Sequence, residues 1–492
     1  MSTSSARKTR TADGKVDARP AARRSGGDAK VIHFSLAERA ARGKAARAEV
    51  SRRVLGEWAA AADRRDPLVL LEEQAASRVP ELVPIRYGRM LVSPFAFYRA
   101  GAYIMAADLA GSPRTGLRVQ LCGDAHLSNF GGFAAPDRRR VFDVNDFDET
   151  LPGPFEWDLK RLVASFAVAG RDLGFHAKQR RDANAAVTRA YREAMRHLAA
   201  MKTLDLWYSR IDAEAVKSQF RSSASAKRRK LMKKNRAKAH AKDSLRAFDK
   251  LTTIVDGEPR IVSDPPLIVP VELLSGPDGQ AIEEFAGGVN PGYRRTLSGD
   301  RQQLLERFRY VHAARKVVGV GSVGTRDWVA LMLGSDDNDP LFLQIKQAQA
   351  SVLEPFLGKS QYANHGQRVV EGQRLMQAAS DIMLGWDRVT GVDGVKRDFY
   401  ARQLWDQKGS VVIEGMKPRE LSEYAQICGR TLARAHARSG DAVAIASYLG
   451  SNNALDLALA DFAELYADQN ELDYTALRSA VKTGRVKAET GL

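Results

Sequence analysis

The sequence predicts an α+β fold, in which short strands flank two glycine-containing loops and helices form most of the remainder. Apolar and β-branched runs at 119–121 and 140–144 favour strands on either side of a Gly-Asp loop. A second series of strand patterns occupies residues 316–346. Between residues 154 and 200, by contrast, apolar residues recur at helical spacing. Both periodicities in one chain of 492 residues are typical of an α+β protein with several regions.

Composition predicts four regions along the chain. Residues 1–34 are rich in Arg, Gly and Ser without periodicity, which is typical of a disordered basic tail. Residues 35–310 carry the Gly-Asp loop and an acidic strand end, and a capping box at Ser35 predicts a helix running to about residue 62. Residues 311–410 combine strands with a glycine-rich loop. Residues 411–492 follow helical patterns.

The net charge of +17 is concentrated in two segments. Residues 1–50 carry 12 Lys and Arg against 5 Asp and Glu, and residues 227–242 carry 9 Lys and Arg with no acid. Because the rest of the chain is nearly neutral, a nucleic-acid-binding surface across the whole folded body is not indicated. The segment at about 208–245 is expected to be a basic helical excursion, which is either solvated or contacts an anionic partner.

The sequence favours a cytoplasmic protein that does not contact a membrane. No apolar run reaches the roughly 20 residues needed to cross a bilayer, and no apolar segment of the secretory type follows the N-terminus. Cys122 and Cys428 are the only cysteines, too few for a disulfide framework.

The Gly-Asp loop has the spacing that phosphoryl transfer requires. Asp124 and Asn129 lie five positions apart, and Asp146 follows at the end of a predicted strand. In phosphoryl transfer one carboxylate orients or deprotonates the acceptor hydroxyl, and an amide and another carboxylate hold the metal ion. Asp124 is therefore a candidate general base, and Asn129 and Asp146 are candidate ligands of Mg²⁺.

Two further carboxylates lie beside Asp146. Asp143 and Asp148 are expected to share its face and to supply additional metal contacts, since clustered carboxylates require a neutralising cation. Mg²⁺ prefers such oxygen ligands. The alternative is a solvated acidic turn. Asp158 is expected to be structural and to tie the following helix to the loop.

His126, two residues after Asp124, leaves a second chemistry open. A Gly-Asp-x-His sequence also occurs in two-metal phosphoesterases, but such sites need more histidines at short spacing. The chain has 8 histidines, and the nearest to His126 is His176. We therefore expect His126 to act within the catalytic loop, bracing it by hydrogen bonds.

The second loop has the pattern G-x-G-x-x-G, with Gly319, Gly321 and Gly324 and with Ser322 between them. In a dinucleotide-binding turn a helix would follow, whereas here residues 328–333 have strand character. A hairpin that covers phosphates therefore fits better, because small residues let the backbone approach a nucleotide. The alternative is an ordinary glycine-rich turn.

Lys346 ends the apolar strand that follows this hairpin, which is the place of the phosphate-binding lysine in a kinase. Such an ammonium needs a carboxylate to orient it. Glu354 is the preferred partner, although it also fits a capping box with Ser351, and Glu371 is the alternative.

Several motifs together resemble an uncharacterised bacterial family, domain of unknown function 2252, over about residues 65–480. They include GDAHLSNFG, VFDVNDFDE, EWDLKRL and GVGSVGTRDW. More distantly, the Gly-Asp loop and VNDFDE are similar to the catalytic loop and metal-binding motif of aminoglycoside phosphotransferases and protein-kinase-like enzymes. This similarity implies ATP and Mg²⁺, with Asp124 as base, Asn129 and Asp146 on the metal, and Lys346 and the 319–324 loop on the phosphates.

In those kinases the glycine loop precedes the catalytic loop, whereas here it follows. The resemblance therefore implies a two-lobe kinase-like core that is circularly permuted, with residues 311–410 as the nucleotide lobe and hinge. The expected function is ATP- and Mg²⁺-dependent phosphoryl transfer to an unidentified hydroxyl acceptor, with nucleotidyl transfer left open. The alternative is a non-catalytic nucleotide- or nucleic-acid-binding protein that uses residues 1–50 and 227–242.

Overall fold

The protein has a mixed α+β fold, as the sequence predicts. The computed structural model describes residues 32–223, 244–274, 291–317, 319–391, 393–404 and 409–492. The basic segment at 227–242 and residues 1–31 lie outside these ranges, so the predictions made for them stay predictions. Phe34–Leu492 form one compact unit.

Helices dominate both ends of the described chain. Those before the second glycine loop are α1 (Leu36–Glu49), α2 (Pro67–Ala75), α3 (Val83–Met90), α4 (Pro94–Ala100), α5 (Ala102–Ala110), α6 (Phe155–Asp172), α7 (Ala177–Ala199), α8 (Thr203–Tyr208), α9 (Ala213–Ser223), α10 (Ser244–Leu251), α11 (Pro291–Arg295) and α12 (Gly299–Leu305). Those after it are α13 (Glu354–Leu357), α14 (His365–Met376), α15 (Pro418–Ser439), α16 (Ala442–Leu449) and α17 (Ala454–Lys482).

The strands form several antiparallel sheets. In chain order they are β1 (Arg118–Leu121), β2 (Phe130–Ala134), β3 (Arg140–Val144), β4 (Leu151–Pro154), β5 (Ile211–Asp212), β6 (Thr252–Val255), β7 (Glu258–Ile261), β8 (Ile268–Pro270), β9 (Arg309–Lys316), β10 (Asp327–Leu333), β11 (Pro340–Ala348), β12 (Gly385–Thr390), β13 (Lys396–Gln403) and β14 (Gly409–Ser410). The largest sheet has the order β12-β13-β11-β10-β9-β8.

This six-stranded sheet is covered on both faces, which explains why its central strand β10 is apolar from Trp328 to Leu333. On β10, Trp328 and Ala330 belong to one apolar cluster, whereas Val329 and Leu331 belong to another on the opposite face. Successive side chains of a strand point to opposite faces, so a strand buried on both sides reads as a continuous apolar run. The glycine loop joins β9 to β10 at one end of the sheet.

The helical part encloses the largest apolar core. Helix α15 packs along α7, and α17 packs against both α6 and α7. Their buried residues form one cluster that also includes apolar residues of the Gly-Asp loop, such as Ala125 and Leu127. The loop is therefore mounted directly on the helical core.

Two element boundaries differ from those expected. The capping box at Ser35 is present, but α1 ends at Glu49 instead of about residue 62, because Val50 takes an extended conformation. The first strand of the glycine hairpin is Arg309–Lys316, so the apolar residues after Lys316 belong to the loop and not to the strand. No helix in the described part of the chain is long and apolar enough to cross a membrane.

Gly43 allows α1 to lie close to α16. A Cβ atom at Gly43 would lie 2.0 Å from the carbonyl oxygen of Ala444. We expect Gly43→Ala to lower the free energy of unfolding by about 1–3 kcal/mol, although alanine favours a helix by about 1 kcal/mol. Gly111→Ala is the control, because its φ is negative and a Cβ there meets nothing within 4 Å. Equal stability of the two variants in urea denaturation would contradict the close approach.

Candidate functional site

The β2–β3 hairpin brings the candidate metal ligands together. Phe130 pairs with Val144, so Asn129 and Asn145 lie opposite each other just beyond the ladder, and the Asn145 N–H donates to the Asn129 carbonyl at 2.9 Å. Asp146 follows directly. Asn129 and Asp146 are therefore close in space although the β2–β3 hairpin separates them in the sequence.

The Gly-Asp loop is held in place by Asp158, the fourth residue of α6. Its carboxylate accepts hydrogen bonds from the N–H groups of Cys122 at 2.8 Å and Gly123 at 3.0 Å, and lies 3.2 Å from His436 Nε2 on α15. Gly123 has a φ of +85°, and a Cβ there would lie 2.3 Å from the Glu149 carbonyl oxygen, so only glycine fits. The expected role of Asp158, tying the helix to the loop, matches these contacts.

Asp124 projects from this loop into a cavity. Its Oδ1 accepts a hydrogen bond from Arg161 Nε at 2.9 Å and lies 2.9 Å from Arg161 Nη2, while its side chain keeps 19% exposure. Burial raises the pKa of Asp124 to about 6, although the Arg161 guanidinium opposes the shift. The carboxylate is therefore oriented by an arginine, and its pKa lies near the range in which a general base works.

His126 is buried behind Asp124. Its Nδ1 accepts a hydrogen bond from the Ser128 N–H at 3.2 Å, and its Nε2 lies 3.7 Å from Asp124 Oδ2. Burial lowers the pKa of His126 well below its ordinary value, so the ring is neutral. These contacts match the expected bracing of the loop.

Asn129 and Asp146 provide the oxygen atoms that a hard cation prefers. The Asn129 Nδ2 donates to the Asp124 carbonyl at 2.9 Å, and Asp146 Oδ1 accepts from the Asp148 N–H at 3.1 Å. Within the described ranges no group of three or more His, Cys, Asp or Glu could hold a metal ion. One carboxylate with one amide nevertheless fits Mg²⁺, which usually keeps several waters and takes substrate phosphates as ligands.

Asp148 belongs to a different interaction. Its Oδ2 contacts Lys346 Nζ at 2.5 Å, across 198 residues of sequence, and its Oδ1 accepts a hydrogen bond from the Tyr400 hydroxyl at 2.6 Å. Burial acts to raise the pKa of Asp148, but the ammonium of Lys346 outweighs it and the pKa falls to about 2. Asp148 is therefore ionised and neutralises Lys346 across the site.

The glycine loop lies over Lys346. Ser322 Oγ is 3.4 Å from Lys346 Nζ. Arg78 fixes the loop from behind, because its guanidinium donates to the carbonyls of Gly321, at 3.0 Å, and Val323, at 2.5 Å. Gly324, with a φ of +89°, packs against the side chain of Arg78. Gly319, Gly321 and Ser322 face the cavity, whereas Gly324 shapes the turn behind it.

These parts line one cavity of about 300 Å³. It is bounded by the Gly-Asp loop, the strand end, the glycine loop and the inner face of the six-stranded sheet, through Asp124, His126, Asn129, Asp146, Gly319, Gly321, Ser322 and Lys346. Residues predicted from two distant stretches of sequence therefore surround the same space.

Three sequence predictions are corrected by the contacts. Glu354 is not the partner of Lys346; it accepts from the Ser351 N–H at 3.3 Å and lies 3.8 Å from His365, because α13 turns it away from the strand. Glu371 pairs with Arg374 on its own helix. Asp143 does not share the face of Asp146, since an odd number of positions separates them, and it instead pairs with Arg434 in the helical core.

A model of the family described as "Uncharacterized protein conserved in bacteria (DUF2252)" matches residues 78–480. The chain belongs to this family. No curated protein and no solved structure matches the chain significantly. The family resemblance of the motifs is thereby confirmed, and the family description names no activity.

Polar residues that sequence reasoning missed complete the cavity of this DUF2252 chain. On β11 and β13, Gln344 pairs with Arg402 in the same register in which Lys346 pairs with Tyr400. Arg402 Nε donates to Gln344 Oε1 at 3.1 Å, and Arg402 Nη1 donates to the Asn145 carbonyl at 3.3 Å. Polar Gln344 and Lys346 at alternate positions of the otherwise apolar β11 are the signal that could have identified Gln344.

A second cavity, of about 610 Å³, adjoins the first. It extends from Asp124 and Asp146 towards Glu73, Tyr103 and Glu149. The Glu149 Oε2 accepts from the Val352 N–H at 2.7 Å, and burial raises the pKa of Glu149 to about 7. Asp124 and Asp146 line both cavities and therefore lie where the two cavities meet.

Removal of the Asp158 carboxylate should loosen the Gly-Asp loop. Asp158→Ala leaves two buried N–H groups without an acceptor, and we expect a loss of about 3–5 kcal/mol of stability, with a smaller loss for Asp158→Asn. Exposed Asp182→Ala on α7 is the control and should change stability by less than ~0.5 kcal/mol. Denaturation with hydrogen exchange checks both. Unchanged protection of the Cys122 and Gly123 amides in Asp158→Ala would contradict the anchoring role.

Proposed function

We propose that the protein is an ATP- and Mg²⁺-dependent phosphotransferase that moves the γ-phosphoryl group of ATP to a hydroxyl acceptor. One observation carries this proposal: Lys346 and the glycine loop line the same cavity as Asp124, Asn129 and Asp146. A phosphate-binding lysine, a glycine loop, a base and oxygen ligands for Mg²⁺ are the parts of a phosphoryl-transfer site.

The order of elements in the sheet supports a kinase-like nucleotide lobe. A glycine loop joins β9 to β10, the next strand β11 carries Lys346, a helix α14 follows, and β12 and β13 complete the antiparallel sheet. Protein kinases place their glycine loop, strand lysine and following helix in this sequence. Because the Asp124 hairpin precedes this lobe, we propose that the core is circularly permuted.

One feature departs from that pattern. The kinase lysine pairs with a glutamate of the helix that follows it. Here α14 contributes Arg368, whose Nη1 donates to the Thr150 carbonyl at 2.7 Å and whose Nη2 donates to the Asp148 carbonyl at 2.8 Å. The lysine takes Asp148 itself as partner. In the proposed site this helix therefore positions the segment that carries the partner, instead of supplying the carboxylate.

The proposed reaction assigns each group a task. Asp124 accepts the proton of the acceptor hydroxyl, whose oxygen forms a bond to the γ-phosphorus. The bond from that phosphorus to the β–γ bridging oxygen breaks, and ADP leaves with its electron pair. Lys346 and Arg402 offset negative charge on the phosphates, Asn129 and Asp146 would hold Mg²⁺, and the metal would neutralise the phosphates and orient them. The second cavity is the proposed acceptor site.

Binding of Mg-ATP tests whether the two halves of the chain form one site. We expect binding to the full-length protein, and at least ~10-fold weaker binding to Asp146→Asn and Lys346→Met, because each variant removes a charged contact to the metal or the phosphates. Exposed Lys396→Ala, on a neighbouring strand, is the control. Titration calorimetry with thermal melting of each variant is the measurement. Identical affinities in all four proteins would refute a shared site.

The pH dependence of transfer tests Asp124 as the base. Because its pKa lies at about 6 and only the ionised form accepts a proton, turnover of Mg-ATP should fall as the pH decreases through about 6. Asp124→Ala should lose at least ~100-fold in rate and also lose this acidic limb. Glu149→Gln should keep the limb, although Glu149 titrates nearby.

If the acidic limb disappeared in Glu149→Gln and remained in Asp124→Ala, Glu149 and not Asp124 would be the base. Binding of Mg-ATP by the wild type without turnover at any pH would favour the non-catalytic nucleotide-binding alternative.

A further inference from the structure

Arg99 stands at the junction of the two cavities. Among the described residues, five line both of them: Arg99, Asp124, Asp146, Gly321 and Ser322. Of these only Arg99 carries a positive charge. It lies in the last turn of α4 and is half-buried.

Neighbouring elements hold the backbone of Arg99 in this position. Helix α4 packs against α6 and against the turn Val320–Ser322 of the glycine loop. Arg161, which orients Asp124, also donates from Nη2 to the carbonyl of the adjacent Tyr98 at 2.7 Å. A Cβ at Gly321 would lie 3.6 Å from the Arg99 carbonyl oxygen, so the glycine loop touches the same turn. Arg99 is thus fixed between the candidate base and the glycine loop.

No acidic side chain in the part of the chain that the structure describes forms an ion pair with Arg99, although the Asp124 and Glu414 carboxylates attract it from a longer distance. Three other basic groups at the site have a close contact: Arg161 pairs with Asp124, Lys346 pairs with Asp148, and Arg402 donates to Gln344. For Arg99, by contrast, no described residue forms an ion pair or hydrogen bond with the guanidinium, and Nε is buried without a partner.

Keeping an unpaired cation partly out of water costs free energy, and a bound anion that pairs with the cation offsets this cost. A guanidinium offers five N–H donors in a planar fork that matches the oxygens of a phosphate. An anion at the junction would be attracted by Arg99 and by a metal ion held at Asp146, and that ion would offset the repulsion from the Asp124 and Asp146 carboxylates.

We propose that the Arg99 guanidinium contacts the phosphoryl group in transfer and donates to its non-bridging oxygens. This inference rests on the proposed function, and it adds a catalytic residue that acts within a single chain. The charge that develops on those oxygens is then neutralised from the junction, where neither Lys346 nor Arg402 lines both cavities.

The test compares two nucleotides that differ only in the γ-phosphoryl group. Calorimetry measures the affinity of the full-length protein for Mg-ADP and for the Mg²⁺ complex of adenylyl imidodiphosphate, a non-hydrolysable ATP analogue. Arg99→Ala should weaken binding of the analogue by at least ~10-fold and leave Mg-ADP affinity within ~2-fold, since only the analogue reaches Arg99. Arg99→Lys should recover part of the loss, because the charge returns without the fork. Exposed Arg189→Ala on α7 is the control and should bind both nucleotides as wild type does.

Three results would overturn the inference. Equal weakening of both nucleotides would place Arg99 on the shared part of the nucleotide or give it a structural role. Unchanged affinity of Arg99→Ala for both nucleotides would mean that Arg99 does not contact the γ-phosphoryl group and instead faces an anionic group of the acceptor. Absence of nucleotide binding by the wild type would remove the proposed function as well, which separates that failure from a failure of Arg99 alone.

Discussion

The buried ion pair between Lys346 and Asp148 is the contact on which the site geometry depends. It joins β11 to the segment after β3, and the lysine side chain is only 3% exposed. An ammonium so far from water is stable only when it has a close partner and further hydrogen bonds, which Asp148 and Ser322 provide, while Tyr400 donates to the 30% exposed Asp148 side chain. Removing the Asp148 carboxylate would leave the buried ammonium unpaired at a cost of about 3–5 kcal/mol. The pair therefore fixes where the sheet meets the Gly-Asp hairpin.

The opposite wall is positioned by the helical core. Asp158 on α6 accepts the loop N–H groups and contacts His436 of α15, whose Nδ1 lies 2.8 Å from the hydroxyl of Tyr191 on α7. Three long helices thus define the position of Asp124, and the sheet defines the position of Lys346. The candidate site lies where these two parts meet, and its two loops are held by side chains that project from helices, namely Asp158 and Arg161 for the Gly-Asp loop, and by Arg78 for the glycine loop.

Local features could be read from the sequence because local physics decides them. The capping box at Ser35 depends on residues within one turn, and the strands at 118–121 and 140–144 follow from β-branched apolar runs. The end of α1 at Glu49 and the strand Gly385–Thr390 carried no comparable local signal. Asp143 shows that position in the sequence does not by itself predict a metal ligand. Side chains alternate between the two faces of a strand, so Asp143 points to Arg434 and not to the face of Asp146.

Short-range order in the sequence was enough to locate the polar groups of the Gly-Asp loop and the strand end. Asn129 and Asp146 lie just beyond the paired residues of the β2–β3 hairpin, and Asp124 lies in the loop before it. Short-range strand register therefore brings these residues together. The three-dimensional structure alone shows that Lys346 pairs with Asp148 and not with Glu354, and that Arg99 lies between two cavities without an ion pair to any described residue. Those relations join residues from distant parts of the chain. They arise from which elements of the sheet and the helices become neighbours, and the periodicity of a sequence does not record that choice.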